Sequence, residues 1–191
     1  MDKFSWNCYA LIPELVKRFH TISPQCSKTF LQQIVFLLQE VYGIDCGYDF
    51  EFYLGGPYSS QLNGDLDLVQ HWGCISVQRV NKSLDGYQIC PTKEVDKIRV
   101  KAADFLNNQK TKTALESLIF TYGNMTVKDL ELRASTIYVW QSFKHRNELC
   151  TKRQICHVTG QIKLKFSKQE IEEVVDQLSQ LGHIQLSDQG S

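Results

Sequence analysis

The stretch Ser27-Lys28-Thr29-Phe30-Leu31-Gln32-Gln33-Ile34-Val35-Phe36-Leu37-Leu38-Gln39-Glu40-Val41-Tyr42-Gly43 constrains the fold more than any other part of the chain. Apolar residues at 30, 31, 34, 35, 37, 38, 41 and 42 make a face wider than one stripe, the pattern of a core helix, and Gly43 can end it in a left-handed conformation. Leu31, Ile34, Val35 and Leu38 are its expected buried centre. The rest of the 191 residues must supply the elements that cover this helix, enough chain for one large or two small domains.

Those elements are legible in outline. Tyr9 to His20 has a helical pattern around Pro13, which either starts the helix or kinks a longer one, and Thr21-Ile22-Ser23-Pro24 closes it. Tyr48 to Leu54 alternates at period two, placing 48, 50, 52 and 54 on one face of a half-buried strand with Asp49 and Glu51 on the other. Gly55-Gly56-Pro57 reads as a tight strand-to-helix turn. Ser59 or Ser60 caps a helix with Leu62, Leu66, Val69 and Trp72 inward, stopping at Gly73. Cys74–Val80, a turn at Asp85-Gly86 and Tyr87–Cys90 then make a β-hairpin.

Three helices and a hairpin, in that order, predict a winged helix-turn-helix core in residues 1–91 of a mostly helical α+β protein. Residues 92–191 form a helical half, with helices predicted near Thr92–Asn107, Thr111–Tyr122 and Thr126–Gln141. Ser167-x-x-Glu170 is a capping box ahead of Ile171, Val174, Val175, Leu178 and Leu181. Leu181-Gly182-His183-Ile184 parallels Trp72-Gly73-Cys74-Ile75, where a glycine and an isoleucine lead into a strand. This half is therefore either a second winged helix or a helical extension.

The segments Lys28 to Gln39, Tyr48 to Tyr53, Gly56-Pro57-Tyr58-Ser59 and Leu66 to Val69, together with Leu130 to Tyr138, resemble the YwgA-type family of uncharacterised prokaryotic winged-helix-like proteins. The similarity spans roughly residues 8 to 140. More distantly, the helix followed by Gly-Pro is similar to the SocA/Panacea antitoxin-like domains, which neutralise toxins by direct contact. The resemblance implies a fold and brings no catalytic residues with it.

None of the common catalytic signatures is present: no G-x-x-x-x-G-K-[ST], G-x-G-x-x-G, H-E-x-x-H or G-x-S-x-G. Asp49 and Glu51 could hold Mg²⁺, but their alternation with Phe50 and Phe52 makes them the solvated face of a strand. Cys150, Cys156, His157 and His145 lack zinc-site spacing. Pro57 removes one of the donors an anion would need at the Gly55-Gly56 turn. No enzyme activity, metal or cofactor is expected. The seven scattered cysteines read as reduced, mostly buried thiols. The start of the chain has no signal-peptide pattern and no run has the length of a membrane span, so a soluble cytoplasmic protein is expected.

Formal charge is zero overall but unevenly spread. Residues 1–75 carry 4 basic and 8 acidic side chains, and residues 76–160 carry 14 and 8. The third helix of the winged-helix pattern has no Lys or Arg, and an acidic helix is repelled by phosphate. The expected function is thus that of a non-catalytic regulatory or interaction module. It would bind a partner protein, as an antitoxin or operon accessory factor does, through helix 59–72 with Gln61, Asp65 and His71 as contacts. The alternative is a nucleic-acid-binding, transcriptional-regulator-like protein using the basic stretch 144–165, which otherwise reads as a solvated basic loop. Lys144, Arg146, Lys152, Arg153, Lys163 and Lys165 would contact phosphate there, joined by Arg79 and Lys82 of the wing.

Overall fold

The computed structural model describes residues 3–23, 26–79 and 87–187. Helix α1 (Lys3–His20) runs through Pro13, so the proline lies inside a longer helix rather than at its start. Helix α2 (Lys28–Glu40) begins where Ser27 Oγ accepts from the Phe30 amide at 3.2 Å. Its expected centre is buried: Leu31, Ile34, Val35 and Leu38 are all within 1 % of full burial. It is covered by α1, by α3 (Ser60–His71), by α6 (Gln109–Tyr122) and, most extensively, by α7 (Val127–His145).

Between α2 and α3 lies an antiparallel ribbon of β1 (Glu51–Tyr53) and β2 (Gly56–Tyr58), with Phe52 opposite Pro57. The predicted strand from 48 to 54 is therefore longer than the paired one. Tyr48 is buried as expected, but Leu54, placed by alternation on the same inner face, is 98 % exposed. Gly56 adopts φ +110°, and the chain reverses at Leu54-Gly55 before alternation can turn residue 54 inward. The Gly55-Gly56-Pro57 segment thus serves the ribbon, and the turn into α3 is made by Ser59, whose Oγ accepts from the Leu62 amide. A second antiparallel pair, β3 (Ile75–Arg79) with β4 (Tyr87–Pro91), follows Gly73. The predicted turn at Asp85-Gly86 lies outside the described residues. Packing of α1 on α3 and β4 gathers these elements around one end of the core.

The segment predicted as one helix over 92–107 divides into α4 (Val95–Arg99), a 3-10 turn (Val100–Ala102) and α5 (Ala103–Asn107), which bend around α1. Beyond α7, the basic stretch read as a loop is helical over residues 152–162. Helix α8 (Lys152–Ile162) starts at a Thr151/Gln154 capping box and buries Ile155 and Thr159. It packs with α7 and α9 (Lys168–Gln180) into a three-helix cluster. After α9, Gly182 at φ +71° ends the helix, but Ile184 folds back into the core and no strand follows among the described residues to 187. The parallel with Gly73-Cys74-Ile75 ends at the helix cap. One apolar core runs continuously from Cys8 to Ile184. All seven cysteines are free thiols, six of them buried, and burial pushes Cys26 up to about 12. Among the described residues no helix is long and apolar enough to cross a membrane.

Candidate functional site

Helix α3 presents Gln61, Asp67 and His71 to solvent and Leu62, Leu66 and Val69 to the core. Asp65 sits at the boundary. Its Oδ2 accepts a 2.9 Å hydrogen bond from the Tyr48 hydroxyl, so it is half-buried against the extended segment before β1 rather than fully outward. Burial raises the Asp65 pKa, opposed by that hydrogen bond. Asp67 is held at 2.5 Å by Lys28 from the first turn of α2. The face carries amide, carboxylate and imidazole groups on a helix whose own sequence has no Lys or Arg.

The basic residues are divided by the fold. Lys144 is exposed at the end of α7 with its ammonium 5.2 Å from the Trp140 ring. Arg146 pairs with Glu148 at 3.1 Å, and Lys152 with Asp176 at 2.6 Å. Arg153 is exposed on α8 and Arg79 at the end of β3, while Lys82 lies outside the described residues. Lys163 is a different case: its side chain is 2 % exposed, and its ammonium donates to Glu131 Oε1 at 2.8 Å and to the Leu54 carbonyl at 2.6 Å. Lys165 takes the other Glu131 oxygen at 2.6 Å. These two lysines neutralise a buried glutamate on α7, and Lys163 has no surface left for a phosphate.

Arg153 and Lys152 instead join His157 and Lys168 along an open groove of about 1070 Å³ between α8 and α9, with Leu164 and Gly160 also lining it and Glu172 as its acid. Sequence reasoning missed this groove because it read 144–165 as a loop. The signal was present in Thr151-x-x-Gln154, the same capping pattern as Ser167-x-x-Glu170. Glu170 in that second box is held down to about 2 by hydrogen bonds from the Ser167 backbone, the Ser167 hydroxyl and Lys128.

The other candidate ligands stay apart. Asp49 and Glu51 are both exposed. Cys150 is buried just before α8, Cys156 is half-buried on it and His157 points outward. Among the described residues no group of three or more His, Cys, Asp or Glu is arranged to hold a metal ion. Compared with known proteins, the chain matches no family model and no curated protein sequence.

Proposed function

We propose that the chain is a non-catalytic regulatory module of the cytoplasm that binds a partner protein, in the manner of an antitoxin or an operon accessory factor. In this reading α1, α2, α3 and the β3–β4 pair are a winged helix related to the YwgA-type family, and α3 faces a protein rather than DNA. The observation that carries it is the solvent face of α3, where Gln61, Asp67 and His71 stand with no cation of the helix's own and Asp67 draws Lys28 to itself. Phosphate would find no Lys or Arg of the helix there, and Lys28 is already held by Asp67, whereas a polar protein surface can hydrogen-bond with the amide, carboxylate and imidazole groups.

The test is capture of partners from the native host with wild-type protein and with a Gln61→Ala/His71→Ala variant. A stoichiometric protein retained by the first and lost by the second is the expected result. Capture that ignores the double substitution would move the contact away from α3.

A second reading, in which the chain binds nucleic acid, is favoured by the α8–α9 groove, whose rim carries Lys152, Arg153, His157 and Lys168. Such binding would use phosphate contacts, with modest sequence preference and steep salt dependence. The logarithmic slope would fall by about 0.9 for each duplex contact removed. Titration of duplex DNA with wild-type protein and Arg153→Glu at several salt concentrations decides it: a flatter slope for the variant supports this reading, and equal slopes oppose it.

A further inference from the structure

Between the C-terminal ends of α2 and α7, against the extended segment that leads into β1, is a pocket of about 260 Å³. Glu40 and Asp49 bring carboxylates to its wall, and Phe36, Phe50 and Tyr138 bring rings. No lysine or arginine is among its lining residues, where His145 is the one basic side chain. Lys144, next in the chain, holds its ammonium over the Trp140 ring instead. Among the described residues neither carboxylate is paired with a cation. Glu40 gives one oxygen to Gln39 Nε2 at 3.0 Å, and Asp49 is exposed.

One polar side chain of the wall is left open. Gln141 is 8 % exposed and lines the pocket, yet among the described residues no protein group hydrogen-bonds its amide. A largely buried amide in this state calls for a partner, and with none to fix its orientation it can present either its oxygen or its nitrogen. Its polar neighbours are already committed. Gln39 clamps the Tyr48 backbone, donating to the carbonyl at 3.0 Å and accepting from the amide at 3.3 Å, and the Ser142 hydroxyl donates to the Val139 carbonyl at 2.6 Å. The Tyr48 hydroxyl turns away to Asp65. The wall is thus held in place before anything binds, which lowers the entropy that binding costs.

Two features set the sign of the occupant's charge. Both carboxylates belong to the wall, and α2 and α7 both end here, at Glu40 and His145, so the negative ends of two helix dipoles add to them. A bare metal ion is a poor match, because among the described residues no group of three or more His, Cys, Asp or Glu could hold one. It would also leave the rings unused. The Phe36 ring lies 5.2 Å from that of Phe50 and 6.2 Å from that of Tyr138, an aromatic surface suited to the alkyl body and the charge of an organic cation. We propose that this pocket binds a small organic ammonium ion, with Glu40, Asp49 and the Gln141 oxygen as acceptors for its N–H groups and Phe36, Phe50 and Tyr138 against its alkyl body. The site is independent of both functional readings above.

The test is titration of butylammonium at neutral pH into the isotope-labelled full chain, followed by NMR. At matched ionic strength, 1-butanol and butyrate serve as the uncharged and anionic counterparts. Saturable shifts centred on the Gln141 side-chain amide and the Asp49 and Phe50 backbone amides are expected with butylammonium alone. Asp49→Lys, which puts a cation at the pocket from an exposed position, should abolish them without changing the melting temperature. Glu40→Gln should weaken binding about tenfold, the scale of one hydrogen bond to a charged group. N-acetyllysine methylamide separates two sources of the same group: binding as tight as that of butylammonium assigns the ammonium to a lysine side chain of a partner protein, and much weaker binding assigns it to a free amine. No saturable shift at the Gln141 amide up to the solubility limit, equal shifts with 1-butanol, or shifts that survive Asp49→Lys would each overturn the proposal.

Discussion

Glu131 is the residue on which most of the molecule's buried charge converges. It lies on α7 with its side chain 6 % exposed, and it takes Lys163 and Lys165 on separate oxygens. Desolvation lowers the Lys163 pKa, and the hydrogen bond and charge of Glu131 oppose that shift. Breaking such a pair from one side leaves an uncompensated interior charge and costs about 3–5 kcal/mol, whereas replacing both partners with apolar groups often costs little. Glu131→Leu, which leaves the Lys163 ammonium buried without its carboxylate, should destabilise by about that amount, Lys163→Met by less because Lys165 still pairs Glu131, and the double variant by less than their sum. Denaturant unfolding of the four proteins checks this, and additive losses would show that the pair is not coupled. His183 gives a pH signature. Its Nδ1 is 2.7 Å from the Tyr122 hydroxyl, and burial lowers its pKa from the ordinary 6.5. The unfolded chain therefore binds the proton more readily than the folded one. Stability from this group is intact above pH 6.5 and declines as pH falls below 6.5 toward the lowered folded value. His183→Gln, which can still hydrogen-bond with Tyr122 but does not titrate, should flatten the decline over that window in pH-dependent chemical denaturation.

Helix α2 shows how far an element can be read before its surroundings are known. A wide apolar face and a closing glycine each have a local cause, and together they specify a helix buried on several sides. Ile34→Asp should abolish cooperative folding, because a buried, unpaired carboxylate costs several kcal/mol or more out of a total of about 5–15 kcal/mol. A soluble variant with a sharp melting transition would contradict the burial of Ile34. Elements with few apolar positions were harder to read. In α8 only Ile155 and Thr159 are buried, so a run of charges outweighed the capping box and the helix passed for a loop. The strand from Tyr48 was cut short by the turn at Leu54-Gly55, which Gly56 leaves at φ +110°, a backbone conformation open to glycine.

At the scale of the whole molecule, α7 matters most because it faces two ways. One side packs on α2 and β2, and the other on α8 and α9. Leu130, Ala134 and Ile137 are accordingly buried on one side of the helix and Leu132, Val139 and Phe143 on the opposite side. With the core continuous from Cys8 to Ile184, calorimetry should show a single unfolding transition whose van't Hoff and calorimetric enthalpies agree. Two resolved transitions would instead mean that residues 1–91 and 92–191 melt as separate units.

By itself the sequence determined the local structure that has a local cause: a serine cap at 59 or 60, the capping box at Ser167, the glycine stops at 43, 73 and 182, the apolar centre of α2 and a hairpin joining the strands that start at Cys74 and Tyr87. It also determined the charge balance that makes α3 free of cations. Only the tertiary structure decided which charges reach solvent, because that depends on what a distant segment brings alongside. Lys163 and Lys165 sit in a basic run, but Glu131, some thirty residues earlier, draws one of them into the interior and both into ion pairs. Asp65 sits on an exposed helix, yet Tyr48 draws it against the core. Leu54 continues an alternating apolar pattern, and Lys163, 109 residues away in sequence, fixes its carbonyl at a turn that turns its side chain to water.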